Sequence, residues 1–337
     1  MISDRVKSNL KSEFSRSFLA KLGAVLLILI FLMGLFAPLL ATHDPTRNAY
    51  FDEETGQEYP PLGMEYTTTV SDGEGGFEQV SVSGTSEHVF GTNNANQDVY
   101  SRFVYGARVS ILVGLLGTVM AMFIGVPYGL VAGYFGGRVD DAMMRIADVM
   151  LSFPALVLAL ALIGAFQEWE TTVYIPDPIV QGGLAQGMPE YIPLPGTITV
   201  VAALVIWVWF ARVARGEAMS IRNQEYVKAA KSFGASNTRI LFRHVLPNSL
   251  TPIIVLGTIQ VAVIILLEAS LAYLGFSGTT LSWGFEIERG QSVLRQRPWV
   301  AVFPGIGIVL TVIGVNLLGD WLRDALDPNV GGGERGA

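Results

Sequence analysis

The chain has 337 residues, of which 51% are hydrophobic and 15% are charged, and its formal net charge is −7. Ordinary soluble domains carry roughly 25% charged residues, so this composition indicates an integral membrane protein. The chain contains no cysteine, which excludes disulfides, thiolate nucleophiles and cysteine-ligated metals. Its three histidines, His43, His88 and His244, match no metal-ligand spacing, and we therefore expect no metal site.

Six apolar runs are long enough to cross a bilayer, which requires about 20 mostly apolar residues. They cover residues 22–41, 109–134, 146–166, 192–211, 250–277 and 300–318. The first run follows a basic head and has a cleaved signal peptide as its alternative reading. However, it exceeds the length of about 7–15 residues typical of a signal-peptide core and lacks a small-residue cleavage site. We therefore predict a retained anchor and an all-α protein with six transmembrane helices.

Glycines in the second run recur at spacings of three, four and eight residues. They are Gly114, Gly117, Gly125, Gly129 and Gly133. Because small residues let membrane helices approach closely, the pattern predicts a helix-packing face rather than a chemical site.

Residues 42–100 are polar and hold eleven acidic residues but one basic residue, Arg47. The alternation in FEQVSVS, residues 77–83, predicts a small β-hairpin. We interpret the segment as a solvated spacer, with a specific binding role as the alternative. Its acidity would hold water in high salt, which favours a prokaryotic and halophilic, archaeal source.

The basic residues predict the orientation in the membrane. With the amino terminus in the cytoplasm, the inside segments hold 16 of the 22 Lys and Arg residues. The positive-inside rule favours this arrangement, which puts both termini in the cytoplasm and residues 42–100 outside. We expect a multi-pass protein of the plasma or inner membrane.

The motifs of common enzymes and nucleotide-binding proteins are absent. The chain has no G-x-x-x-x-G-K-[ST], no G-x-S-x-G, no H-E-x-x-H and no G-x-G-x-x-G after a strand. We therefore expect no catalytic residue, no cofactor in this chain and no nucleic-acid partner. The pattern favours a conduit driven by another protein.

Residues 225–247 interrupt the apolar sequence with a basic, two-part helical pattern. Tyr226, Ala229, Ala230 and Phe233 fall on one helical face. Gly234 is typical of a residue just after a helix. The alanines and the glycine indicate a small knob that docks into a protein cleft, with an interfacial helix resting on anionic lipid as the alternative.

The second part of the pattern predicts another short helix. Ser236 is placed to cap it, and Pro247 is predicted to end it. Ile240, Leu241, His244 and Val245 would share one side.

The hairpin resembles the EAA loop, E-A-A-x3-G-x9-I-x-L-P, of binding-protein-dependent ABC importer permeases. Ala229, Ala230, Gly234, Leu246 and Pro247 stand at matching positions. Two positions differ from the motif: Lys228 stands where the motif has its acid, and His244 stands where it has isoleucine. Either Glu225, one helical turn earlier, takes the role of the acid, or the ion pair with the ATPase is lost. The resemblance implies a coupling helix in a groove of a cytoplasmic ATPase. The implied coupling residues are Glu225, Tyr226, Lys228, Ala229, Ala230, Gly234, Ala235, Arg239, Leu246 and Pro247.

The segment before the second run also resembles dipeptide and oligopeptide permeases. It reads HVFGTNNANQDVYSRFVYGARVSI and matches their H-x-L-G-T-D-x-x-G-R-D-V-x-S-R-x-x-Y-G-A-R-x-S at positions including His88, Asp98, Ser101, Arg102 and Arg108. EASLAYLGFS and NLLGDWLRDALDP are similar to the same family. The resemblance implies a type I ABC importer permease core, of the second-permease type, that translocates dipeptides or oligopeptides. Nickel or sugar cargo is the alternative within the family.

The resemblance also implies the partners. They are a second homologous permease subunit, two ATP-binding subunits that hold ATP and Mg, an external substrate-binding protein and the lipid bilayer. The expected domains are the cytoplasmic amino terminus and anchor (1–41), an acidic external loop (42–100), a five-helix core with a coupling hairpin at 214–248 (101–319) and a cytoplasmic tail (320–337). The rival from another class is a secondary transporter driven by an ion gradient, which needs intramembrane acids.

Other charged residues have specific expectations. Glu268, inside the fifth run, either lines the translocation path or makes a helix–helix hydrogen bond. Asp148 is predicted to pair with Arg145 or Arg138. Glu286, Glu288 and Arg289, before the last run, are predicted to be solvated.

Overall fold

The computed structural model describes residues 13–45, 59–71, 76–166, 170–174, 191–276 and 280–326. In chain order the helices are α1 (Phe18–Leu35), α2 (Ala37–Leu40), α3 (Val99–Phe135), α4 (Gly137–Leu151), α5 (Ala155–Ala165), α6 (Gly196–Ile221), α7 (Glu225–Ser232), α8 (Asn237–Ile240), α9 (Leu246–Tyr273), α10 (Trp283–Gln291) and α11 (Trp299–Leu326). The strands are β1 (Glu65–Ser71), β2 (Phe77–Ser83), β3 (Glu170–Tyr174) and β4 (Tyr191–Pro195). Residues 46–58, 72–75 and 327–337, which include Arg47 and most of the predicted tail, lie outside the described residues.

Five helical stretches in the described part of the chain are long and apolar enough to cross a membrane. They are Phe18–Leu35, Val99–Phe135, Gly196–Ile221, Asn237–Tyr273 and Trp299–Leu326. The third predicted span, 146–166, is not one straight helix, because α4 and α5 meet at a bend of 93°. Pro154 precedes α5, and a proline ring disfavours helical geometry at the residue before it. The bent pair supplies a sixth span if it is counted as one.

The predicted glycine face joins α3 to α6. A Cβ atom on Gly125, Gly129 or Gly133 would run into a backbone carbonyl of α6. The other two glycines of the series, Gly114 and Gly117, lie instead against the side chains of Ile265 and Ile264 on α9. The prediction of a packing face is confirmed, and the close approach explains why larger residues are absent there.

The anchor helix α1 is fastened to the core at both of its halves. Gly23 packs against Leu317 of α11, and Gly34 packs against the backbone of Arg108 on α3. The Arg108 guanidinium donates hydrogen bonds to the carbonyl oxygens of Gly34 (3.0 Å) and Leu35 (3.2 Å). The last carbonyls of a helix have no partner within it, so this arginine satisfies the end of α1 from the neighbouring helix.

The end of the bundle at which α3 begins also carries two β-hairpins, and it is here called the loop end. β1 and β2 form the predicted antiparallel hairpin, in a register that pairs Glu65 with Ser83. A second antiparallel hairpin, β3–β4, was not predicted from the sequence. Two prolines in β4 hid it, since proline in a strand is confined to edges and strand ends.

Candidate coupling surface

The turn of the hairpin follows the sequence prediction closely. Gly234 has a φ of +82°, in the region that favours glycine. Its N–H donates to the carbonyl oxygen of Lys231 (3.0 Å), and the N–H of Ala235 donates to that of Ala230 (3.1 Å). This pair of bonds is the Schellman motif, which closes a helix end with glycine. Ser236 caps α8 by accepting the Arg239 N–H at 3.3 Å, as predicted.

The prediction that Pro247 ends the second hairpin helix is wrong. A π-helical turn, Leu241–Val245, carries α8 into α9, and Pro247 lies in the first turn of α9. Proline carries no backbone N–H, so the stretch loses one helical hydrogen bond at Pro247. The side chains of Asn248 and Ser249 donate to the carbonyl oxygens of His244 (2.6 Å) and Val245 (2.8 Å). The result is one helical stretch of 37 residues, Asn237–Tyr273.

The hairpin divides into a buried face and an exposed face. Val227, Ile240 and Val245 are buried against the core. On the other side Phe233 is 92% exposed and Phe242 is 69% exposed. Phe233 belongs to the face predicted from the sequence, whereas the exposure of Phe242 was not predicted. The exposed surface combines the predicted small residues with two phenylalanines.

The other predicted coupling residues surround this aromatic surface. Tyr226, Ala229, Arg239 and Pro247 are exposed, and Ala230, Ala235 and Leu246 are half-buried. Glu225 and Lys228 form an ion pair with each other at 2.9 Å, and both are largely exposed. Exposed pairs of this kind are weak, so either side chain can exchange its partner for one on another protein.

Two contacts tie the hairpin to the neighbouring helix ends. The Arg222 guanidinium donates to the carbonyl oxygens of Gly133 (2.8 Å) and Tyr134 (3.2 Å) at the end of α3. The Tyr134 hydroxyl donates to Oδ1 of Asn237, the first residue of α8, at 2.9 Å. The hairpin is therefore linked to the end of α3 as well as to α9.

The comparisons with known proteins identify the family of this chain. Residues 125–332 match the family described as "Binding-protein-dependent transport system inner membrane component". Residues 12–61 match the "N-terminal TM domain of oligopeptide transport permease C". The chain belongs to the family of binding-protein-dependent transport system inner membrane components. It is a transport component and a multi-pass membrane protein, not an enzyme.

Curated relatives support this assignment over nearly the whole permease. The oligopeptide transport system permease protein OppC of Bacillus subtilis is 32% identical over 322 residues, which cover 94% of this chain and 88% of OppC. The probable D,D-dipeptide transport system permease protein DdpC of Escherichia coli is 35% identical over 312 residues, covering 92% of this chain and 87% of DdpC.

A solved structure supports the fold. The inward-facing MetNI methionine ABC transporter matches with a TM-score of 0.50 and 14% sequence identity. The match covers 67% of this chain and 97% of that one. Together with the family, it makes the fold an ABC importer permease.

Glu268, a buried acid within α9, contacts a neighbouring helix. Its side chain is fully buried, and the Ser110 hydroxyl of α3 donates to it at 3.5 Å. The same hydroxyl accepts the N–H of Trp283 at the start of α10 (3.1 Å). These contacts favour the helix–helix alternative, and a role in the translocation path stays a prediction.

Several charge pairs of the permease differ from the sequence predictions. Asp148 pairs with Arg212 at 2.7 Å rather than with Arg145 or Arg138. Glu286 is 1% exposed and pairs with Arg102 at 2.6 Å, so the prediction that it is solvated is wrong.

The other two residues of that group are half-buried. Arg289 donates to Gln97 at 3.1 Å, and Glu288 lies beside it on α10. In the pairs of Asp148, Glu286 and Arg289 the partner residue lies far away in the sequence, so local sequence patterns do not reveal it.

Proposed function

We propose that this chain is the membrane-spanning permease subunit of an ATP-driven importer of dipeptides or oligopeptides. The observation that carries the proposal is the exposed aromatic surface of Phe233 and Phe242, on a hairpin that continues without a break into the helical stretch Asn237–Tyr273. In this proposal a cytoplasmic ATPase subunit covers that surface. ATP and Mg are held by the ATPase, and this chain carries no cofactor.

The geometry supports a lever mechanism. A helical stretch of 37 residues spans about 55 Å at 1.5 Å per residue. Its first residue, Asn237, accepts a hydrogen bond from Tyr134 of α3, and Arg222, at the end of α6, donates to the Gly133 carbonyl of α3. Closure of the ATPases would therefore move the hairpin as a rigid body and tilt the core helices, switching the access of the cavity from one side of the membrane to the other.

The remaining partners and the cargo belong to the same proposal. A second homologous permease would complete the pathway, two ATP-binding subunits would lie at the hairpin end, and an external binding protein would dock at the loop end. The basic residues favour a cytoplasmic hairpin and cytoplasmic termini. Peptide cargo is supported by the names of the relatives, among them oligopeptide and D,D-dipeptide permease proteins.

The docking surface can be tested with one truncation. Phe233→Ala removes an aromatic group that docking would bury. Full burial of such a side chain is worth about 1.5–3 kcal/mol, so the affinity for the ATPase subunit should fall roughly 10- to 150-fold. The matched control is Phe18→Ala, which truncates a residue that is 73% exposed on the anchor instead. Unchanged binding of the ATPase to purified Phe233→Ala protein would contradict the coupling surface.

Transport itself is tested in proteoliposomes with the partner permease, the ATPases and the binding protein. Gly234→Pro removes the N–H that closes the Schellman motif and forbids the positive φ. Ala230→Glu places a second acid on the hairpin. We expect both variants to reach the membrane at wild-type levels and to lose peptide-stimulated ATP hydrolysis and uptake. Wild-type uptake by either variant would refute the coupling role, whereas wild-type protein that hydrolyses ATP without peptide stimulation would refute only the cargo.

A further inference from the structure

Two histidines and an aspartate from three separate segments meet at the loop end. His43 follows α2, His88 precedes α3, and Asp98 is the N-cap residue of α3. His88 Nδ1 lies 2.9 Å from Asp98 Oδ1, and His43 Nδ1 lies 3.9 Å from Asp98 Oδ2. One ligand atom from each residue lies within 4.8 Å of the other two. The three residues are here called the His–Asp cluster.

The carboxylate of the His–Asp cluster is held in place by its neighbours. The N–H and the hydroxyl of Ser101 donate to Asp98 Oδ2 at 2.7 and 2.6 Å, which leaves Oδ1 directed at His88. Asp98 therefore presents an oriented carboxylate, and ligating carboxylates in metal sites are themselves held by hydrogen bonds of this kind.

The two imidazoles are also placed suitably for ligation. The ring centroids of His43 and His88 are 4.6 Å apart, and Tyr59 stacks on His88 at 5.7 Å. The His88 side chain is 6% exposed, whereas that of His43 is 37% exposed. Solvent therefore reaches the cluster along His43, which provides an entry path for an ion and room for a fourth ligand.

We propose that the His–Asp cluster binds a divalent transition-metal ion of the zinc class, in a site with three protein ligands and one open position. Ligand bonds of about 2.0–2.2 Å in a tetrahedron separate the ligand atoms by roughly 3.3 Å. One ligand atom from each of the three residues already lies within 4.8 Å of the other two, so small side-chain rotations would bring all three to that separation. Two imidazoles select zinc, copper or nickel over magnesium and calcium, which prefer oxygen ligands. The proposal is independent of the cargo and of ATPase docking.

A bound ion would fasten the end of the anchor to the core. His43 lies after α2, and its N–H already bonds the Ser101 hydroxyl of α3 at 3.0 Å. The ion would add to this hydrogen bond a coordinated link between the anchor segment and the start of α3. The spacing of the histidines in the sequence gave no indication of the site, because the fold brings them together across 45 residues.

The test is zinc binding by the purified full-length chain with an affinity tag that contains no histidine. Competition against a chromogenic chelator should show one zinc per chain, and X-ray absorption should show two imidazole nitrogens at about 2.0–2.1 Å. His43→Ala removes the more exposed ligand and should lower the affinity at least tenfold, since even changes in groups around metal ligands cost about 10–100-fold. Asp98→Asn keeps the N-cap acceptor and should lower the affinity similarly.

The matched control is His244→Ala, which removes the third histidine of the chain from the distant hairpin and should leave binding unchanged. Absence of stoichiometric zinc binding to the wild-type chain would overturn the proposal. So would equal affinities of His43→Ala and His244→Ala, because they would place the zinc elsewhere. Either result would leave His88 and Asp98 as a hydrogen-bonded pair that supports the N-terminus of α3.

Discussion

Removing one partner of the ion pair between Arg102 and Glu286 is expected to cost much more stability than removing one partner of an exposed pair of similar length. Its atoms are 2.6 Å apart, and its side chains are 4% and 1% exposed. Arg102→Met removes the guanidinium and leaves the Glu286 carboxylate buried without it. Removing one partner of a buried pair costs about 3–5 kcal/mol, because the remaining charge has lost water and gained no substitute.

The chain offers a matched control in Arg212 and Asp148. That pair has nearly the same length, 2.7 Å, but its side chains are 46% and 59% exposed. Arg212→Met should therefore cost no more than about 1 kcal/mol. The double variant Arg102→Met/Glu286→Leu should recover most of the loss, since apolar replacement of a buried pair is often neutral.

The measurement is unfolding of each purified variant by SDS in mixed micelles, followed by the fluorescence of the six tryptophans. Trp283 belongs to the same helix as Glu286 and reports on the site directly. Equal losses for Arg102→Met and Arg212→Met would refute the reasoning, because burial would then make no difference. A double variant as unstable as the single variant would show that the pair is needed for more than charge compensation.

Three further predictions concern packing, pH and the anchor. Gly129→Leu should block folding, because the leucine side chain would collide with the Ala211 carbonyl. Gly216→Leu is the control, since its side chain would meet open space. Only the Gly216 variant should be monodisperse in detergent. The pKa of Asp98 is lowered from 3.8, so its anion stabilises the fold above about pH 4, and this contribution is lost as the pH falls through the folded-state pKa. Asp98→Asn should therefore reduce the loss of stability at acid pH. An unchanged loss in the variant would contradict the role of the Asp98 anion. Arg108→Ala removes both donors that hold the end of α1 and should speed proteolysis after the anchor; an unchanged cleavage rate would show that packing alone holds it.

The parts of the fold that were predicted correctly depend on neighbouring residues. The turn at Gly234 and the cap at Ser236 are properties of a few consecutive residues, and both were confirmed. The apolar runs were also located, because a bilayer imposes a minimum length on each helix. The helix ends were predicted less accurately. The helix α3 begins ten residues before its apolar run, because the polar residues of its first turns have hydrogen-bond partners at the loop end.

The parts that were missed depend on contacts across long sequence distances. Glu286 looked solvated because Arg102 lies 184 residues away. Pro247 looked like a helix end, but a π-turn and the two polar side chains after it preserve the helix. The exposed side of the hairpin was predicted in part: Tyr226, Ala229 and Phe233 lie on it, but Phe242 of the π-turn was not singled out.

The contact between α3 and α6 limits which parts of the permease can move against each other. Most helix interfaces contain side chains, and changes of rotamer let such interfaces slide. Where Gly129 meets Ala211, backbone lies on backbone, and there is no rotamer to change. Sliding would drive the flanking side chains into carbonyl oxygens, so α3 and α6 form one mechanical unit. Spin labels placed across this contact should therefore keep one distance throughout the proposed ATPase cycle. The proposed change of access would then take place at other helix contacts, such as those where Gly114 and Gly117 face isoleucine side chains of α9.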